Sequence, residues 1–219
     1  MPLTLYAHPF SSYCQKVLIV LYEKGIDFTY RTVGPDDPSV GTDLEKLWPM
    51  KKFPVLTKGD RSYIEASVIV EFLDLLRPLP TPLLPAEPMD ALEVRFLDRF
   101  FDNYVQTPLQ KVVGDALRPE DRRDPQGVED ARRMLETSYR WLDQRMASRE
   151  WAAHDSFSLA DCAAAPALFY ADWVHRIGDE YPHVQAYRAR LNARPAFARC
   201  IEEARHFRPY FPLGAPDRD

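Results

Sequence analysis

The 219-residue sequence is poor in cysteine: Cys14, Cys162 and Cys200 are all it has, an odd number at wide spacings. That pattern fits neither a disulfide framework nor a zinc site and points to a reducing compartment. Long apolar runs are also missing, because Pro, Asp, Arg or Glu interrupts each one well before the roughly 18 residues that a membrane span needs. The first ten residues, MPLTLYAHPF, lack the basic region and apolar core of a leader, so a soluble, cytoplasmic chain is expected. Nor is there an excess of positive charge. Lys and Arg total 28 against 33 Asp and Glu, a net charge of −5, and residues 1–80 hold 9 against 10, so neither half offers the basic field that a nucleic acid requires. The five histidines, His8, His154, His175, His183 and His206, are scattered without ligand spacing, and no metal site is expected. What remains is 46 % hydrophobic and 28 % charged residues, a globular composition long enough for one large domain or two small ones.

Proline marks the main division. Pro78, Pro80, Pro82, Pro85 and Pro88 crowd into one stretch where fixed φ and missing amide donors oppose helix and sheet, so residues 78–88 read as a stiff linker. Before it, LTLYA at 3–7 reads as a strand, and Cys14, Val17, Leu18 and Leu21 form the stripe of a helix ending near Gly25. Residues 27–33 alternate as a strand, a short helix is expected over 42–48, and two short strands at 54–58 and 61–64 flank Gly59-Asp60. Val68, Ile69, Phe72, Leu73 and Leu76 then give another helical stripe, so residues 1–77 read as a small α/β domain of order βαβ(α)ββα. After the linker, 89–118, 128–148, 158–175, 182–193 and 195–206 all show helical spacing, which makes 89–219 an all-helical domain. Pro108 should kink the first of these helices, Pro195 suits a first helical position, and the charged, Pro-containing C-terminal tail reads as ordinary surface. Ser158 and Asp161 are spaced as a capping box, a folding signal rather than a site.

Chemistry concentrates at HPFSSYCQKV, residues 8–17, where the first strand turns into the first helix. Ser11 and Ser12 stand at the helix start, and two readings apply. A hydroxyl there can cap orphan amides. Alternatively, it can donate to a bound thiolate beside the positive end of the helix dipole. The dipole contributes about 0.3–1 kcal/mol and a hydrogen bond to a charged group about 1.5–3 kcal/mol, together lowering a thiol pKa by about 1–3 units from about 8.5. Tyr6, at the end of the first strand, is a competing phenol, and Cys14 falls in the apolar stripe as a buried, inert thiol.

Three segments resemble the cytosolic glutathione transferase family, over nearly the whole chain. Ser11 to Val17 is similar to the Ser-x-x-x-x-Arg/Lys-Val signature of the serine-type classes, which implies that Ser11 meets the glutathione sulfur, with Ser12 beside it. Beta-class members place cysteine at the position of Ser11, so the match argues against mixed-disulfide chemistry. WPMKKFPVL at 48–56 resembles the family's Val-Pro segment, close to its zeta-class form, and implies a cis bond at Phe53-Pro54, pairing of Val55 with the cysteinyl backbone, and Lys52 near the glycine carboxylate. YIEASVIVEFLD at 63–74 is similar to the family's third-helix segment, in which Glu65 matches the residue meeting the γ-glutamyl amine. Here the chain departs: the serine that binds the γ-glutamyl carboxylate falls on Ala66, with Ser67 one place later.

The resemblance implies a thioredoxin-like N-terminal domain, an all-α C-terminal bundle and a homodimer, with glutathione as co-substrate and no metal. Its thiolate attacks an apolar electrophile, in the manner of detoxification enzymes. Tyr13 and Tyr104 are expected to border the electrophile, with Phe100, Phe101, Asn103 and Thr107 as weaker candidates. Two other readings stay open. One is a zeta-type cis-trans isomerase resembling maleylacetoacetate isomerase, although Tyr13-Cys14-Gln15 departs from that class's Cys-Ser-Trp. The other is a non-enzymatic binding module of the same fold, for which loss of the γ-glutamyl serine at Ala66 would be fitting.

Overall fold

The computed structural model describes residues 2–78 and 82–219. Within it, β1 (Leu3–Ala7), α1 (Ser12–Glu23), β2 (Phe28–Thr32), α2 (Pro38–Leu47), β3 (Val55–Lys58), β4 (Arg61–Ile64) and α3 (Ala66–Leu76) form an α/β unit. Its sheet has the order β2-β1-β3-β4, with β1 parallel to β2 and antiparallel to β3, and β3 antiparallel to β4. The β3-β4 turn uses Gly59 at φ +59°, the first of its two residues, where a type II′ turn requires glycine. Helix α1 ends in a Schellman motif: Gly25, at φ +54°, donates to the Tyr22 carbonyl and Ile26 to that of Leu21.

The rest is helical: α4 (Pro88–Phe100), a π-helical turn (Phe101–Gln106), α5 (Thr107–Ala116), α6 (Pro125–Met146), α7 (Leu159–Val174), α8 (Pro182–Asn192) and α9 (Pro195–Ala204), then a 3-10 stretch at Arg205–Tyr210. The expected linker falls partly on residues 79–81, outside the described residues; the flanking Pro78 and residues 82–87 are neither helix nor strand. The Ser158–Asp161 box caps α7, with the Asp161 carboxylate accepting the Ser158 amide at 2.8 Å and the Tyr187 hydroxyl at 2.6 Å.

Several expectations needed correction. Helix α2 begins at Pro38 rather than 42, and α6 at Pro125 rather than 128, because Asp37 and Asp124 are N-caps followed by proline at the first helical position. Where a kink at Pro108 is expected, a π-helical turn runs into α5. Pro108 has no amide for the Tyr104 carbonyl, and the Ser138 hydroxyl supplies a donor at 2.8 Å. The buried face of α3 is Ala66, Ile69, Val70 and Leu73, leaving Val68 and Leu76 exposed. The tail is not plain surface, since Phe211 is buried against Trp173 and Phe10.

Helix α1 governs the packing. Nine of its twelve residues are buried, from Ser12 through Leu21 except Tyr13, because α3 and the sheet cover one side and α7 and α9 the other. One continuous apolar core therefore runs through both parts of the molecule. Into this helix the sequence places a cation. Lys16 Nζ lies 2.5 Å from Asp98 of α4 and 3.1 Å from Asp102 of the π turn, and it donates to Ser67 of α3 at 2.9 Å. Burial alone would raise Asp98, but Lys16 and Arg99 outweigh it and hold that carboxyl below its ordinary range. At Asp102 burial wins, with repulsion from Asp98, and its carboxyl is raised.

Removing one partner from such a buried cluster leaves charge uncompensated, so Lys16→Met should cost about 3–5 kcal/mol in urea unfolding near neutral pH. The depressed Asp98 stabilises the fold fully above its unfolded value of about 3.9, and this contribution disappears as pH falls through its folded value. The difference between parent and variant should therefore shrink on acidification; a difference that grows would contradict the assignment.

Candidate functional site

The strand register brings the three motifs to one end of the sheet. Tyr6, the last-but-one residue of β1, pairs with Val55 at the start of β3, and Val55 pairs with Ile64 at the end of β4. The 8–11 turn, the Phe53-Pro54 bond and the Glu65 entry to α3 all emerge there. Phe53-Pro54 is cis. Glu65 is the N-cap of α3 at φ +72°, ψ +123°, a conformation that residues with a Cβ rarely adopt, and its side chain is exposed. Lys52 is exposed, Phe53 packs against the core, and Pro54 and Val55 are buried. Helix α3 thus opens at this end with Ala66 and Ser67 in its first turn.

Ser11 is the N-cap of α1 in extended conformation (φ −95°, ψ +121°), yet its hydroxyl caps no helix amide. The capping role is unfilled, and the hydroxyl lies beside the Cys14 sulfur instead. Ser11 and Ser12 both line a cavity of about 280 Å³ walled by Phe10, Leu109, Val113 and Phe211. A larger groove of about 600 Å³ runs along Tyr22, Phe28 and Tyr30, but no candidate residue lines it, so its size does not make it the site.

Ser67 is committed elsewhere. Its hydroxyl donates to Asp98 at 2.8 Å and accepts from Lys16 and Arg99, which exhausts its one donor and two acceptor positions. The adjacent group that does face solvent is Arg99, whose guanidinium is about half exposed and bonded to Ser67, Asp98 and Asp102. Sequence reasoning missed Arg99, which stands 32 residues from Ser67 and reaches it only through the packing of α4. Tyr13 lies with this cluster rather than in the cavity; burial and the neighbouring Asp102 push its phenol up to about 12. Tyr104 is exposed, packs on Phe100 at 5.8 Å, and does not line the cavity either. From that helix the cavity takes Gln106, Leu109, Gln110, Val113 and Leu117, a face that the π turn and α5 present one turn beyond Tyr104. Tyr6 sits on the face of β1 opposite Leu5 and Ala7, beneath Arg31 at 5.8 Å.

Among the described residues, no group of three or more His, Cys, Asp or Glu side chains is arranged to hold a metal ion, and no helix is long and apolar enough to cross a membrane.

Comparison with known proteins follows the same division of the chain. Residues 5–81 match the model of the glutathione S-transferase N-terminal domain, and residues 99–195 that of the C-terminal domain. A stringent starvation protein A homolog from Coxiella burnetii is 32% identical over 168 residues, 76% of this chain and 75% of the relative. A glutathione S-transferase structure from Methylobacillus flagellatus with glutathione bound is 30% identical with a TM-score of 0.81, over 90% of this chain and 98% of that one. Another, from Methylobacterium radiotolerans in complex with glutathione sulfonate, is 30% identical with a TM-score of 0.78, over 92% of this chain and 95% of that one.

Cys14 is fully buried, with its sulfur accepting the His8 amide at 3.4 Å; burial pushes its thiol up to about 12, against the opposing pull of the Ser11 hydroxyl and that amide. Cys162 and Cys200 are buried as well, and burial raises both thiols. None of the three should react with a disulfide reagent in the native protein within minutes, and all three should react in denaturant. Rapid native labelling of Cys14 would show that it belongs to the reactive site.

Proposed function

The chain belongs to the glutathione transferase family, and on that footing we propose that it binds glutathione with the sulfur at the N-terminus of α1 and transfers it to an electrophile in the 280 Å³ cavity. The observation that carries this reading is Ser11: a helix N-cap whose hydroxyl caps nothing and which lines that cavity. A hydroxyl so placed donates to a thiolate, and the helix dipole adds to the stabilisation. The thiolate sulfur then bonds to the electrophilic carbon. Either a leaving group departs with the electron pair, or an unsaturated carbonyl takes up a proton at the carbon next to its carbonyl group.

The rest of the tripeptide follows from the same end of the sheet. Val55, after cis Pro54, pairs with the cysteinyl backbone, and Lys52 meets the glycine carboxylate. Glu65 receives the γ-glutamyl amine from its strained N-cap position. With Ala66 in place of a serine and the Ser67 hydroxyl saturated, the γ-glutamyl carboxylate takes its charge-assisted contact from Arg99 and the first amides of α3. Val68 and Leu75 of α3 and Met89, Leu92 and Phe96 of α4 are exposed, while Arg95 and Glu71 join the two helices through a bidentate pair. This apolar face supports a homodimer.

Zeta-type isomerisation would use the same thiolate; the paired Ser11-Ser12 and the WPMKKFPVL segment resemble that class, whereas Tyr13-Cys14-Gln15 departs from it. The binding-module reading has one observation in its favour, the absence of a free hydroxyl at positions 66 and 67, together with the similarity to the Coxiella burnetii protein.

Two measurements test the proposal. Ultraviolet titration of bound glutathione should find a thiolate pKa about 1–3 units below about 8.5, returning at least halfway in Ser11→Ala. An unshifted pKa in the parent, or no binding of glutathione, would favour the binding module. Arg99→Gln should weaken glutathione about threefold to tenfold without altering the bound thiol's pKa, since the guanidinium would meet the γ-glutamyl end and is half exposed to water. An unchanged affinity would remove Arg99 from the site.

A further inference from the structure

The turn that carries Ser11 into α1 is tied down by its own side chains. His8 Nδ1 accepts the Phe10 amide at 3.1 Å, and the His8 carbonyl accepts the Ser11 amide at 3.0 Å. Gln15 Nε2 donates to the Pro9 carbonyl at 2.9 Å, and the Cys14 sulfur accepts the His8 amide. The first of these bonds is an Asx-type turn, in which a side chain accepts the amide two residues on, made here by an imidazole. An accepting nitrogen bears no proton, so the bond requires neutral His8 with its hydrogen on Nε2. Protonation would set a second N–H against that of Phe10. What the bond holds is the wall of the site: Phe10 packs 5.5 Å from Tyr170 and 6.4 Å from Phe211 and lines the cavity beside Ser11. The His8 ring is itself restrained, edge-on to Phe207 of the 3-10 stretch at 4.6 Å. Its titratable surroundings are Cys14 on α1, a protonated thiol, and His206, whose ring meets Phe207 at 5.4 Å. Arg205 and Arg208 of the same stretch are paired with Asp219. Burial lowers the imidazole pKa from its ordinary value, so the neutral form prevails at neutral pH.

We infer that His8 is a positioning residue for Ser11, a clasp that holds the 8–11 turn when neutral and releases it when protonated, so that glutathione binding weakens in mild acid. The inference rests on the reading of the start of α1 as the sulfur site. His8 does not line the cavity and acts through Phe10 and Ser11, which do. The sign follows from the bond: the competent turn is present above the imidazole's folded pKa and is lost as pH falls through it.

S-methylglutathione has no thiol to ionise and no group that titrates between about pH 5 and about pH 7.5, so its binding separates the clasp from activation of the sulfur. Calorimetry on the full chain should find its affinity about threefold to tenfold lower at about pH 5 than at about pH 7.5. His8→Asn supplies an oxygen that accepts the Phe10 amide and does not titrate, so it should keep most of the affinity at about pH 7.5 and lose most of the fall. His8→Leu, with no acceptor, should bind weakly at both. In the ligand-free parent, nitrogen-15 NMR should find the imidazole proton on Nε2 at about pH 7.5, and the Phe10 and Ser11 amide signals should move as the ring titrates. A proton on Nδ1, an equal fall in the parent and in His8→Asn, or amides that do not follow the ring would overturn the inference. If glutathione binds with an acidified thiol and S-methylglutathione shows no fall, the clasp alone fails. If neither ligand binds at any pH, the transferase reading fails and the amide signals decide: shifts that follow His8 in the parent and vanish in His8→Asn uphold the clasp.

Discussion

Three helices meet at one ammonium group. Lys16 is buried in α1, yet its charge is shared among Asp98 of α4, Asp102 of the π turn and Ser67 of α3. Removing that much charge from water is costly, and the cluster persists because every polar partner is itself held by another. Its consequence is geometric. The starts of α1 and α3 bring orphan amides and a positive dipole end to the same end of the sheet, and Lys16 fixes one helix against the other. The cluster that would anchor the γ-glutamyl end of glutathione is thereby connected, through Lys16, to the helix that would activate its sulfur.

The two ends of this arrangement differ in polarity for physical reasons. At α3 the network leaves a half-exposed guanidinium on the surface, suited to a carboxylate in water. At α1 the Ser11 hydroxyl opens into a cavity closed by α5, α7 and the C-terminal 3-10 stretch, where a thiolate would be partly shielded from water and a weak donor counts for more. The cis Phe53-Pro54 bond and the strained φ of Glu65 sit between these ends, and both are local conformations that the surrounding sheet has to impose.

Much of this was legible in the sequence because it is local. The strand-turn-helix at 3–23, the Gly59 turn and the capping box at Ser158 are each specified by neighbours in the chain, and the helix periods after residue 88 gave the all-helical half. The starts of α2 and α6 were equally local, but each is an Asp cap followed by a tolerated first-turn proline, which lies ahead of the residues whose spacing marks the helix. What could not be read was set by packing at a distance. An apolar stripe on α1 suggested one buried face, whereas the second half of the molecule covers the other. Saturation of Ser67 depends on residues from two other helices. The rotation that brings Gln106 rather than Tyr104 to the cavity arises in a π turn, whose extra residue has no signature in periodicity. The tail looked solvated because its charges are many, yet Arg208 and Arg205 hold Asp219 and Arg218 holds Asp172, which seats Phe211 over the cavity.

The central claim is that the start of α1 ionises a bound thiol, and proton release on binding reports this directly. Calorimetry of glutathione binding at about pH 7.5, repeated in buffers of different ionisation enthalpy, counts the protons given up. The account predicts release of roughly half to one proton with glutathione and none with S-methylglutathione, which binds through the same contacts but has no proton to lose. Equal release with the two ligands would mean that α1 and Ser11 hold the sulfur without activating it, and would contradict the account.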